Sequence, residues 1–155
     1  MPNPTTYSPA ALQLARTFEG CRLTAYQDQA NIWTIGYGHT GPHVTSGLTI
    51  TQAQAETLLA DDLATAAACV SRLVKIPLNQ NQFDALVDFV FNLGCRSLTQ
   101  STLLAHIQAN NFEAAAKEFL RWNKAANKPV KGLTRRRQAE AGLFTAATSS
   151  SPHQP

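Results

Sequence analysis

The run that opens Thr51-Gln52-Ala53-Gln54 constrains the fold of this chain more than any other feature. Thr51 and Gln54 stand three apart, the spacing at which each side chain satisfies the other's free backbone amide at a helix start. Behind them Leu58, Leu59, Leu63, Ala66, Cys69, Val70 and Leu73 recur at helical spacing, and nothing interrupts the pattern before Pro77. A helix of roughly 20 residues or more spans about 30 Å, the diameter of a small domain. In a chain of 155 residues such a rod must join whatever precedes it to whatever follows.

What precedes it changes period part-way. Ser8-Pro9 reads as an N-cap with proline at the first helical position, Leu12, Leu14, Ala15 and Phe18 give an apolar side, and Gly20 is a C-terminal stop. A first helix is expected over 9–19. From Arg22 to Leu48 the β-favouring Tyr26, Ile32, Trp33, Ile35 and Tyr37 are punctuated by glycines, which predicts a small antiparallel sheet of two or three short strands. After the rod, Asn79-x-x-Gln82 repeats the capping signature and leads Phe83, Leu86, Val87, Val90 and Phe91 to Gly94, the most apolar helix and the expected centre of a C-terminal core. Further helices are expected near 100–109, 112–122 and 134–146, and 148–155 should be a flexible tail. The class is α+β and mostly helical. One domain over 1–147 is expected, with a sheet lobe at about 20–50 and a helical lobe at about 75–147 that also takes the first helix.

Several function classes are disfavoured. Gly36-Tyr37-Gly38-His39-Thr40-Gly41 matches a dinucleotide-binding turn by spacing. The following Pro42-His43-Val44-Thr45 is loop material, however, and no strand-helix alternation comes after it, so no cofactor is expected. His39 and His43 lie in a proline-containing loop, and no metal site is expected. Three cysteines, Cys21, Cys69 and Cys95, are an odd number at wide spacing and read as reduced, mostly buried thiols. No apolar run approaches a membrane span and no signal peptide opens the chain, which places it in a cytosol. Seven of the 13 basic residues fall in 121–137, where there is no acid. The segment is either a solvated surface or a docking surface for an anionic polymer. Nucleic acid is not expected, because Trp122 is the only aromatic among those cations.

The chemistry lies near the N-terminus. Glu19 ends the first helix, where the negative end of the helix dipole and burial beside Phe18 disfavour the ionised form and suit a proton donor. Asp28 follows in a polar turn that keeps it ionised. Thr34 opens the next strand with a hydroxyl able to donate to and accept from a water. Two carboxyl groups in contrasting environments are the requirement of glycoside hydrolysis.

These residues stand in a longer pattern: Glu19-Gly20-Cys21-Arg22-Leu23, Tyr26, Asp28 and Thr34-Ile35-Gly36-Tyr37-Gly38-His39, then Val90-Phe91-Asn92-Leu93-Gly94, Ser101, Arg121-Trp122-Asn123 and Gly132-Leu133 with Arg136, Arg137, Ala139 and Glu140. The pattern resembles the phage-type lysozymes, glycoside hydrolase family 24, over about residues 8–145. The resemblance implies a lysozyme-like fold and a catalytic triad of Glu19, Asp28 and Thr34. It implies hydrolysis, with inversion, of the β-1,4 bond between N-acetylmuramic acid and N-acetylglucosamine. Phe91, Asn92 and Ser101 would contact sugar, and His39, paired with Asp61 or Asp62, and Arg136 would support the site. Its partner would be peptidoglycan glycan strands, met by a monomer without stable membrane insertion, after another protein has opened the host membrane. A catalytically inactive wall-binding module and a membrane-disrupting basic protein are the alternatives. Many relatives carry a signal-arrest segment that this sequence lacks, and Gln29-Ala30-Asn31-Ile32 replaces a turn that often holds glycine.

Overall fold

The computed structural model describes residues 3–147; the expected flexible tail at 148–155 lies outside them. Helix α1 covers Pro9–Glu19, with Ser8 accepting a hydrogen bond from the Ala10 amide and Gly20 closing it at a φ of +66°. Three antiparallel strands follow in the order β1 (Arg22–Gln27), β2 (Trp33–Gly36), β3 (His39–Thr40). Their register sets Tyr26 against Thr34 and Ile35 against His39. The β1–β2 turn is held by Asp28, whose amide donates to the Ile32 carbonyl and whose carbonyl accepts from the Asn31 amide. Asn31 takes the left-handed φ of +63° that a glycine would otherwise supply, a conformation its short polar side chain tolerates.

The long rod is α2 (Gln52–Leu73), and Thr51 and Gln54 form the reciprocal cap that the sequence signals. Helix α3 (Gln80–Leu93), capped the same way by Asn79 and Gln82, is the axis of the helical lobe. Every residue from Phe83 to Val90 is buried, because α1, α2, α4 (Cys95–Thr99) and α7 (Lys131–Thr145) all pack on it. Helices α5 (Thr102–Gln108) and α6 (Phe112–Phe119) complete the lobe. Phe89 meets the rings of Phe119 and Trp122 edge-on, at centroid distances of 5.7 and 5.4 Å, the geometry that aromatic quadrupoles favour.

Two elements were not expected from the sequence. One is the single-turn α4. The other is a hairpin of β4 (Lys124–Ala125) and β5 (Lys128–Pro129). Its turn puts Ala126 and Asn127 at φ values of +52° and +66°, where an Asn-Gly pair would have been the readable signal. Helix α7 begins at Lys131 rather than 134; Gly132 in its first turn, weakening the local propensity, hides the start.

The cysteines require a correction. Cys69 on α2 and Cys95 on α4 form a disulfide across 26 residues, and Cys21 alone is free and half-buried. Spacing could not show this pairing. The two thiols meet only because α3 and α4 both pack against α2, which brings the start of α4 beside Cys69.

Helix α1 is tied to α2 and to the loop after β2 by Glu56. It pairs with Arg16 through one oxygen; the other accepts hydrogen bonds from the Tyr37 hydroxyl at 2.6 Å and Gln52 Nε2 at 2.9 Å. The Tyr37 hydroxyl first, then Arg16, pull its pKa down to about 2. A depressed carboxyl pKa means that the ionised network contributes its stability fully above the unfolded-state value of about 4.3. That contribution is lost as pH falls through the folded value. Melting temperature should therefore decline across that acid window in the wild type and decline less in Glu56→Gln. Parallel melting-temperature curves for the two proteins would contradict this reading.

Candidate active site

A recess of about 230 Å³ opens between the sheet and α3, lined by Glu19, Tyr26, Asp28, Thr34, Gly38, Thr40, Phe91 and Asn92. Both lobes build it. The end of α1 delivers Glu19, the β1–β2 hairpin delivers Tyr26, Asp28 and Thr34, and the end of α3 delivers Phe91 and Asn92. The glycine that resembled a nucleotide-binding turn has a steric reason here. A Cβ on Gly38 would stand 2.6 Å from Glu19 Oε1 and 3.3 Å from its carboxyl carbon, and the residue sits at a φ of +76°. At that φ glycine lets the turn between β2 and β3 pass this close to Glu19 without strain or displacement of the carboxyl.

Asp28 is oriented from one side. Its Oδ1 accepts from the amides of Ala30 at 2.8 Å and Ile32 at 2.9 Å, whereas no protein donor among the described residues reaches Oδ2. Thr34 is buried, and its hydroxyl donates to the Ile32 carbonyl at 2.9 Å. The expectation that Thr34 both donates to and accepts from a water is thus narrowed: its proton is already committed, and Oγ1 remains an acceptor.

Glu19 has a partner that its local sequence does not suggest. Arg136 Nη1 donates to Glu19 Oε2 at 2.6 Å, while its Nε and Nη2 make a bidentate pair with Asp88 at 2.8 Å each. Burial works against the charge on both Arg136 and Asp88, yet their hydrogen bonds win. Asp88 is held below the usual carboxylate range and Arg136 above its ordinary value. Beside them Arg137 Nη2 donates to Asn92 Oδ1 at 2.8 Å and to Glu140 Oε2 at 2.9 Å. Glu140 is fully buried; burial and its hydrogen bond with Asp88 raise its pKa well above that of an ordinary glutamate.

A protein-family model described as Phage lysozyme matches residues 16–140. An endolysin of Acyrthosiphon pisum secondary endosymbiont phage 1 is 44% identical over 90% of this chain and 98% of its own. The endolysin of Salmonella phage P22 is 46% identical over 81% of this chain and 88% of its own. The chain belongs to the phage lysozyme family. Among solved structures, a P22 lysozyme mutant aligns with a TM-score of 0.80 at 41% identity, covering 91% of this chain and 99% of that one. The muramidase domain of SpmX from Asticcacaulis excentricus aligns at 0.85 with 37% identity, covering 92% and 99%.

Of the residues singled out in this lysozyme's sequence, the structure gathers Glu19, Asp28, Thr34, Phe91 and Asn92 around one recess. Phe91 also packs on the core. Ser101 is not brought there. It is the N-cap of α5, donating to the Leu98 carbonyl and accepting from the Leu104 amide, and it borders a separate recess with Glu118, Arg121 and Trp122. His39 pairs through Nδ1 with Asp62 rather than Asp61, at 2.7 Å, and its Nε2 meets His43 Nε2 at 2.9 Å. The basic segment needs a second correction. Arg136 and Arg137 are buried, so they belong to the site's support and not to a docking surface. Asp88 was missed altogether. The available signal was a pair of aspartates, Asp84 and Asp88, one turn apart in the chain's most apolar helix, where an acid persists only with a partner.

Gly38→Ala should cut hydrolysis by at least about tenfold, equivalent to a misplacement of only about 1.4 kcal/mol in the transition state, while the protein still folds cooperatively. Wild-type turnover by a folded Gly38→Ala variant would show that the close approach to Glu19 is irrelevant.

Proposed function

We propose that this phage lysozyme is an endolysin that cleaves the β-1,4 bond between N-acetylmuramic acid and N-acetylglucosamine in peptidoglycan. Hydrolysis of the cell-wall polymer follows from membership of the family. The assignment of roles rests on the shared recess that holds Glu19, Asp28 and Thr34. In the proposed mechanism the Glu19 carboxyl protonates the leaving glycosidic oxygen. The carboxylate it becomes is stabilised by Arg136, whose charge is fixed in place by Asp88. Asp28 Oδ2 and Thr34 Oγ1 supply two acceptors for the two protons of one water. That arrangement turns the water's lone pair toward the anomeric carbon and lets Asp28 take a proton as attack proceeds. Attack by water from the face opposite the leaving group inverts the anomeric centre.

The same proposal has two further parts. The protein acts as a monomer, and it reaches the wall once the host membrane has been permeabilised. No helix of the described residues is long and apolar enough to cross a membrane, which supports the second.

Glu19→Gln keeps size and hydrogen bonding but cannot donate the proton. It should lower lysis of purified walls by at least the roughly hundredfold typical of a lost general acid, with the melting transition retained. NMR of the first product released by wild type should show the α-anomer. Substantial lysis by Glu19→Gln would reject Glu19 as the acid, and an initial β-anomer would replace inversion with a glycosyl-enzyme route.

A further inference from the structure

Two histidines that the proposed mechanism does not use meet where the sheet lobe lies against α2. His39 belongs to β3 and His43 to the loop after it. Their Nε2 atoms stand 2.9 Å apart, with ring centroids at 5.0 Å and planes tilted by 44°. The other nitrogen of His39, Nδ1, lies 2.7 Å from Asp62 Oδ2. The sequence puts this pair in a proline-containing loop, off any helical face. The fold joins them by another route. The Val44 amide closes a turn on the Gly41 carbonyl at 3.0 Å, and the His43 ring lies back against Gly41. A Cβ on Gly41 would stand 2.9 Å from that ring, so glycine makes room for it.

Two imidazole nitrogens in contact need a positive centre between them, because two bare lone pairs repel. One proton serves, and so does one metal ion. Asp62 decides which nitrogen of His39 is available. A carboxylate can only accept, so it keeps the neutral ring protonated at Nδ1 and leaves the lone pair on Nε2, facing His43. A carboxylate on the far nitrogen is the usual support of a metal-ligating histidine, where it fixes the ring and raises its basicity. The spacing is also close to what an ion requires. In a tetrahedral shell with bonds of about 2.0–2.1 Å, two imidazole nitrogens stand about 3.3 Å apart. The rings need to part by only about 0.4 Å. His43, exposed on its loop, can yield that much.

We propose that His39 Nε2 and His43 Nε2 bind one late first-row divalent cation, Zn²⁺, Ni²⁺ or Cu²⁺, in place of the shared proton. Imidazole selects these ions over Mg²⁺ and Ca²⁺, which take oxygen ligands. Among the described residues no group of three or more His, Cys, Asp or Glu side chains is placed to hold a metal. Water therefore completes the coordination, and the ion is exchangeable. Neither histidine lines the catalytic recess. The ion ties the two-residue strand β3 to the loop that follows it. It acts on the stability of the sheet lobe and not on bond cleavage.

The test is calorimetric titration of the full chain with Ni²⁺ at about pH 7.5, where imidazole is mostly neutral. Wild type should bind Ni²⁺ and not Mg²⁺, and saturating Ni²⁺ should raise its melting temperature. Asp62→Asn should lower Ni²⁺ affinity about tenfold, the lower end of the usual cost of losing such a carboxylate. His43→Gln, at an exposed side chain, removes a ligand outright. It should lower the affinity further and abolish the rise in melting temperature. No binding by the wild type, an affinity unchanged in His43→Gln, or one unchanged in Asp62→Asn would each overturn the proposal.

Discussion

The bidentate pair between Arg136 and Asp88 is the contact on which the site depends. Both side chains are removed from water, Asp88 completely. The cost of that burial is met only by near-ideal geometry and full hydrogen bonding. Arg136 spends two donor groups on Asp88 and one on Glu19, so the guanidinium is rigidly placed before it touches the reacting carboxyl. Breaking such a pair from one side typically costs about 3–5 kcal/mol, because it strands a buried charge. The site and the stability of the helical lobe thus share one interaction.

Helix α3 has a structural role that its apolar sequence conceals. Asp84 accepts from the amide and hydroxyl of Ser8 at the start of α1, while Asp88, through Arg136, holds Glu19 at its end. Two acids one turn apart therefore fix both ends of the helix that presents Glu19, the proposed proton donor. The sheet lobe supplies the other half of the chemistry from a hairpin that is mostly exposed. Its precision comes from backbone amides on Asp28 and from the Ile32 carbonyl on Thr34. In the proposed mechanism a rigidly held acid on the helical side faces a water-handling pair on the sheet side, with the sugar linkage in the groove between them.

Features that depend on neighbours in the chain were legible from the sequence. Both capping boxes, the Ser8-Pro9 start of α1, the long α2 and the three-stranded sheet all follow from residues within a few positions of one another. The resemblance of the stretch holding Glu19, Asp28 and Thr34 to the phage-type lysozymes likewise pointed to a shared site before any geometry was known. Features that depend on tertiary return of the chain were not legible. The Cys69–Cys95 disulfide and the pairing of Asp88 with Arg136 join residues far apart, and no local pattern marks them. The basic segment misled for the same reason. A run of arginines looks like surface until the partners that bury them are found: Asp88 and Glu19 on other helices for Arg136, and Glu140 on α7 with Asn92 on α3 for Arg137. Ser101 read as a sugar contact, and the structure shows instead a hydroxyl occupied in capping α5.

The central claim is that Asp88 acts on catalysis by fixing Arg136 against Glu19. The most direct measurement is kcat of Asp88→Asn on purified peptidoglycan, at a temperature where both proteins are fully folded. The substitution removes the anchoring charge without emptying the space. The account requires kcat to fall by at least about tenfold, a loss of about 1.4 kcal/mol, in protein whose folded fraction is unchanged. A kcat matching that of the wild type would mean that Asp88 serves packing alone, and that Glu19 is positioned by something else.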